Sequence, residues 1–212
     1  MLLVCRRLCY VCERKDVRVQ RAMQLCVNSV QEWVSEYGFK FSTSKTVCIH
    51  FHQQYGFFPD PNILLGKTPI KVVKEAKFLG LIFDTKLTFK NRVQYLKSSC
   101  QKAVDILRVV GHTDWGADCI VLLRLYHALV RSKLDYGSIV YGSAHRSVLK
   151  QLDPIHHQGL RIALGAFRTS PAQSLYVEAH EPSLTSRGLK LSLNYVFLTE
   201  IFAGKPSLHL CL

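Results

Sequence analysis

Three thiols near the start of the chain, Cys5, Cys9 and Cys12, follow a C-x3-C-x2-C spacing that lets three thiolates each hold one iron of a cubane cluster. A zinc site would need a fourth donor, and Cys26 is a poor one because it recurs on an apolar helical stripe. The neighbours His156 and His157 fall on a helix pattern, so their rings point about 100° apart and do not chelate one ion from the same face. Ser42, Ser44 and Ser98 have no identifiable His or Asp partners in the sequence, which leaves a hydrolase reading without support. Asp135 follows Arg131 by four residues and reads as a helix-terminal or Arg131-paired carboxylate. Lys45 lies between two short strand patterns, where an ammonium can approach a polyphosphate; a lone lysine there is otherwise an ordinary turn residue. No acidic residue precedes Glu13.

The elements that must position these groups divide in character near Asp84. Met23, Cys26, Val30, Trp33 and Tyr37 recur three or four apart from Val19 onward, and Gly38 follows as a terminator, so an amphipathic helix with Trp33 buried is expected. Phe39 to Phe41 alternates, and so do Val47, Ile49 and Phe51 against Cys48 and His50, predicting two short strands. A hairpin is expected from Ile63 to Val73 around Gly66-Lys67, then one short buried strand over Phe78 to Phe83. Beyond Asp84 the period is helical. Val93, Leu96, Cys100, Ala103, Leu107 and Val110 form one stripe closed by Gly111; Ile120, Leu123, Tyr126 and Val130 form a second; Leu149, Leu152, Ile155, Leu160 and Leu164 a third; Leu184 to Phe202 a fourth. The expected fold class is therefore α+β, with residues 1–84 forming a small sheet with a packed helix and residues 85–212 a mostly helical bundle.

Lys and Arg number 28 against 15 Asp and Glu in 212 residues, a formal net charge of +13, which makes an extended polyanion the first partner to consider. Residues 1–110 carry 18 basic and 8 acidic side chains, and the remainder 10 and 7, so the excess sits in the first half. Lys67, Lys71, Lys74, Lys77, Lys86, Lys90, Arg92, Lys97 and Lys102 surround the junction near Asp84. Such a cluster suits a phosphate backbone as well as it suits a solvated face. No apolar run approaches the roughly 20 residues of a membrane span, and Arg6-Arg7 interrupts the opening apolar residues. The eight cysteines are scattered and expected to be reduced, so the reading is an intracellular protein, cytoplasmic or nuclear, with no membrane partner.

Three ordered strings carry a family resemblance. Trp33 followed by Gly38-Phe39-Lys40-Phe41-Ser42-Thr43-Ser44-Lys45-Thr46 resembles motif D of non-LTR retrotransposon reverse transcriptases. Phe78-Leu79-Gly80-Leu81-Ile82-Phe83-Asp84, with Lys86-Leu87-Thr88-Phe89 after it, resembles motif E, the primer grip, as jockey-like elements have it. Arg131 to Ser138, then Leu160-Arg161 and Gly165 to Pro171, is similar to the helical region after the polymerase. Together these cover about residues 15 to 200.

The resemblance implies the end of a palm followed by a thumb-like bundle, an RNA or DNA primer-template as partner, and no small-molecule substrate for this chain by itself. It implies a general-acid role for Lys45 toward the leaving pyrophosphate, and contacts to nucleic acid from Phe78, Leu79, Gly80, Lys86, Lys90, Arg92 and Lys97. The family's two Mg²⁺ ions need an aromatic-x-Asp-Asp turn just before the first helix, where this chain has Val4-Cys5-Arg6-Arg7-Leu8-Cys9-Tyr10-Val11-Cys12. No cofactor or metal site is therefore expected in this chain, which reads as a catalytically inactive fragment of an RNA-directed DNA polymerase. Two other readings stand beside it: a non-catalytic basic nucleic-acid-binding module, and a radical S-adenosylmethionine-type iron–sulfur protein built on Cys5, Cys9 and Cys12. Val11 where an aromatic is usual, and the absence of a repeating βα pattern, count against the last.

Overall fold

A computed structural model describes residues 2–5, 8–11, 17–52, 60–112 and 116–203, with side chains from 20 to 201 within those ranges. The chain divides into two compact units, Met1–Phe89 and Lys90–Leu212.

In the first unit β1 (Leu2–Cys5) pairs antiparallel with β2 (Leu8–Val11) and with β3 (Val47–Ile49). The helix α1 (Val17–Glu36) lies between β2 and β3 in sequence. A hairpin of β4 (Leu64–Leu65) and β5 (Thr68–Pro69) turns at Gly66, whose φ of 63° is left-handed. β6 (Lys71–Val72) then pairs parallel with β3 and completes the sheet order β2-β1-β3-β6.

Strand β3 is buried on both faces. Cys48 joins Met23 and Val27 of α1 with Ile63 and Ile70, whereas Ile49 gathers Val47, Phe51, Val73, Ala76, Phe78 and Phe83 on the other side. That split follows the period-2 alternation of the sequence.

Three local expectations fail here. Phe39 to Phe41 is not a strand. Trp33 is 54% exposed, its ring tilted 47° against that of Tyr37 with centroids 5.0 Å apart, and Cys26 is exposed as well. Helix α1 instead buries Met23, Val27 and Val34, because its glutamines serve the sheet: Gln24 bonds both the N–H and the C=O of Leu64 at 2.9 Å, and Gln20 donates to the Asn62 carbonyl at 2.8 Å. Finally, Phe78 to Phe83 is not one strand. It is a hairpin of β7 (Glu75–Phe78) and β8 (Leu81–Asp84) in which Phe78 opposes Leu81. The two residues between, Leu79 and Gly80, have φ of 46° and 82°, as a two-residue turn matched to the strand twist requires.

The second unit is helical in all its described elements. α2 (Lys90–Val110) buries Val93, Leu96, Cys100, Ala103, Val104 and Leu107, and ends before Gly111 as expected. α3 (Cys119–Tyr126) starts at Asp118, which accepts from the Ile120 N–H, and buries Leu122 and Tyr126, leaving Ile120 exposed, so the second stripe begins two residues later than its spacing suggests. The chain widens into one π-helical turn over His127–Arg131 and continues as α4 (Ser132–Asp135). Left-handed Gly137 leads into α5 (Ser138–Tyr141), then α6 (Arg146–Leu149) and α7 (Asp153–Leu164), which stops at left-handed Gly165. α8 (Ala172–Glu178) and α9 (Leu184–Ala203) follow. Gly159 is required where it stands, since a Cβ there would lie 2.8 Å from the buried Tyr126 ring.

Candidate nucleic-acid interface

The residues singled out in the sequence fall in both units, and each unit positions its own share. In the first, Lys45 ends a short 3-10 turn (Thr43–Lys45) braced by the Thr46 hydroxyl, which is buried and donates to the Ser42 carbonyl at 2.9 Å. Lys45 then borders an open depression of about 400 Å³ together with Val47, Val73, Glu75, Ala76, Lys77, Phe78 and Leu79. The motif D-like lysine and the tip of the motif E-like hairpin, over 30 residues apart in sequence, are thereby on one surface feature.

Within that hairpin the three predicted residues divide by environment. Phe78 is half-buried: it packs against the Ile49 cluster, supporting the hairpin from below, and also lines the depression. Gly80 supplies the turn, not the close-approach glycine of a continuous strand. Leu79 is 67% exposed and holds a left-handed backbone that costs a non-glycine residue about 1 kcal/mol or more. An exposed aliphatic side chain on a strained turn returns little to the folding of its own unit.

Lys86 is exposed in the loop that follows β8. Asp84 shapes that loop, accepting from the Thr88 N–H (2.9 Å), the Thr88 hydroxyl (2.8 Å) and the Phe89 N–H (2.9 Å). Burial works to raise the Asp84 pKa, but these hydrogen bonds outweigh it and hold the carboxyl below its ordinary value. Leu87 and Phe89, with φ of 52° and 54°, are kept left-handed beside it. In the sequence Asp84 marks the end of a motif and the change to a helical period but not this loop-shaping role, because a carboxylate's bonds to backbone four and five residues on leave no period to read.

In the second unit Lys90 and Lys97 are seven residues apart on α2 and both exposed, on one face with Gln94. Arg92 is a correction. It is 4% exposed, donates to the Tyr136 carbonyl at 3.2 Å and lies over the Tyr141 ring at 5.9 Å, so it braces the helical unit and does not reach a phosphate.

The motif after the polymerase-like region builds an ion-pair network. Glu181, just past α8, receives Arg131 and lies 2.7 Å from His127 Nε2; Asp135 receives Arg187 at 2.9 Å and lies 3.7 Å from Arg131. Asp135 thus has the helix-terminal, Arg131-paired role expected of it, with Arg187 as a further partner 52 residues away. Behind the network the buried Tyr126 hydroxyl is hydrogen-bonded to Nδ1 of His156, and His157 Nε2 lies 2.6 Å from the Tyr176 hydroxyl.

Among the described residues no group of three His, Cys, Asp or Glu is placed to hold a metal ion. Cys5 and Cys9 lie in paired strands, opposite Leu8 and Val4, while Cys12, Arg6 and Arg7 lie outside the described residues. Burial raises the thiols of Cys48 and Cys100 to about 11, which suits inert packing residues. No described helix is long and apolar enough to cross a membrane.

No family model and no solved structure matches the chain. It is 24% identical over 167 residues to the retrovirus-related Pol polyprotein from type-1 retrotransposable element R1 of Nasonia vitripennis, covering 76% of this chain and 50% of that one. It is 24% identical over 152 residues to the RNA-directed DNA polymerase from mobile element jockey of Drosophila funebris, covering 71% of this chain and 16% of that one. The jockey polymerase of Drosophila melanogaster is 23% identical over 146 residues, covering 68% and 16%. The chain therefore spans half the length of one relative and less than a fifth of the others. These curated homologues are polyproteins and RNA-directed DNA polymerases of non-LTR retrotransposons.

Proposed function

We propose that this chain is a fragment of a transposon-encoded reverse transcriptase that contacts primer-template nucleic acid without itself polymerising. The observation supporting the contact is the shared depression of Lys45 and the Phe78-Leu79 end of the hairpin, which joins two lysines, Lys45 and Lys77, and a projecting aliphatic residue, with Glu75 as the one carboxylate among its described lining residues. Cations fix a phosphate backbone in place and apolar groups pack against sugars or bases. Lys86, Lys90 and Lys97 extend the positive surface of their respective units.

Two arginines stand in the sequence between β1 and β2, where the resemblance calls for an Asp pair. A guanidinium is a donor without lone pairs to offer, so it does not ligate Mg²⁺. The donor set does not fit the metal ions of the family, and no step is derived through them. Lys45 is accordingly assigned a phosphate contact, with general acid chemistry belonging only to a complete polymerase.

A primed template incubated with the purified chain, nucleotides and Mg²⁺ is expected to show no extension above a no-protein control. Extension would overturn the proposal. Binding to the same template is expected to fall steeply with salt. Changing Lys45, Lys77 and Lys86 together to Glu should lower the log–log salt slope by about 0.9 for each lysine on a duplex phosphate. Leu79→Ser should weaken binding at unchanged slope, because its contribution is apolar. Arg124, Lys150 and Arg168, exposed in the less basic half, form the control triple. Equal losses from both triples would reduce the interface to the general attraction of a basic protein for a polyanion.

A further inference from the structure

We infer that α9 (Leu184–Ala203) is a self-association helix that pairs antiparallel with α9 of a second copy of this chain. One side of the helix is spoken for over its first half: Arg187 is tied to Asp135, and Gly188, Leu191 and Ser192 are half-buried on the side packed toward α5 (Ser138–Tyr141), with Val196 half-buried beyond them, whereas Tyr195 and Leu198 further along that side are 53 and 54% exposed. Leu189, Leu193, Phe197 and Ile201 recur every four residues on the opposite side, and they are 63, 49, 61 and 72% exposed. At 100° per residue these four span an arc of about 120°, a continuous apolar ridge of the kind that interlocks with a like ridge on another helix.

The ridge is self-complementary about its midpoint. A two-fold axis passing level with the midpoint of Leu193 and Phe197 brings Leu193 of one copy level with Phe197 of the other, and Leu189 level with Ile201. The same operation brings Lys190 level with Glu200. Both lie within the apolar arc, Lys190 toward one border and Glu200 toward the other. An isologous contact repeats every interaction twice, so both ends of the pair carry an opposite-charge match. A parallel pairing would instead set Lys190 against Lys190 and Glu200 against Glu200. Charge complementarity therefore selects a second copy, and the antiparallel direction, as the occupant. This inference is independent of the proposed nucleic-acid contact, which lies on other elements.

The test is sedimentation equilibrium of the full chain after nuclease treatment, at about 0.15 M salt where screening still permits ion pairs across a contact. A monomer–dimer equilibrium is expected, weak because one helix face buries an area at the low end for specific interfaces. Leu193→Glu should abolish the dimer while leaving the far-ultraviolet circular dichroism unchanged. Lys190→Glu alone places two like-charge pairs in the contact and should raise the dissociation constant about tenfold. Combining Lys190→Glu with Glu200→Lys should restore the wild-type constant. A monomer at every concentration, a dimer indifferent to Leu193→Glu, or a double reversal no tighter than the single one would each overturn the inference.

Discussion

Glu181→Ala is expected to destabilise the helical unit by about 3 kcal/mol, the cost of leaving the partners of a buried carboxylate without their counter-charge. Glu181 is 6% exposed, and it receives Arg131 from the π-helical turn while His127 lies 2.7 Å away. Its removal takes the nearer counter-charge from Arg131, whose side chain is only 19% exposed and is left with Asp135 at 3.7 Å. Urea titration followed by circular dichroism should show the midpoint fall by about 1–2 M, on the usual slope for a domain of this size. Glu181→Gln should fall between, because the amide oxygen still accepts from Arg131. A loss below about 1 kcal/mol for the alanine variant would show that the pair is solvent-compensated and not part of the unit's framework.

The second large effect is a dependence on pH. Burial, with the neighbouring His157 charge, lowers the His156 pKa to about 4 from an ordinary value of 6.5. Other groups facing it are Arg131 and Asp135, and the Tyr126 hydroxyl, whose own pKa is pushed well up by burial, stays protonated as its hydrogen-bond partner. The folded form binds the proton less readily than the unfolded form. Between pH 6.5 and 4 the unfolded chain therefore gains a proton that the native unit refuses, and stability falls as pH falls. Above 6.5 both forms are neutral and this contribution is complete. Over the full interval it amounts to about 3 kcal/mol. Chemical denaturation of wild type and His156→Gln across pH 4 to 7 checks it, since the difference in slope isolates one proton from the carboxylates that titrate in the same range. Parallel pH profiles for the two proteins would mean that His156 is protonated inside the fold.

Much of the helical half was legible because its burial follows one rule. In α2 the residues at helical spacing, Val93, Leu96, Cys100, Ala103 and Leu107, are the buried ones. Helix α1 misled for an identifiable reason: apolar residues cover more than half its circumference, and the polar Gln20 and Gln24 sit over the sheet because they bond to strand backbone. The inferred stripe, which shares Met23 with the buried one, is thus rotated from it by about a sixth of the circumference. The Leu79-Gly80 turn was hidden because its first position holds leucine, not the asparagine or aspartate that usually announces such a turn. Lys45, Leu79 and Lys86 could be picked out as a set only through family resemblance. Arg92 could not be told from its exposed neighbours by charge, since its partners are a carbonyl 44 residues away and the Tyr141 ring. The Glu181 network spans 50 residues and leaves no periodic trace.

The glutamines of α1 have a further effect on how the isolated chain behaves in solution. Leu64 lies in a two-stranded ribbon, and an outer strand of that kind normally offers its amide and carbonyl to any extended segment that drifts alongside. Here both groups are already taken by the Gln24 side chain, and the Asn62 carbonyl by Gln20. Two side-chain amides imitate a neighbouring strand without being one, so this border of the ribbon is closed to templated fibril growth even though the ribbon itself is only two strands wide.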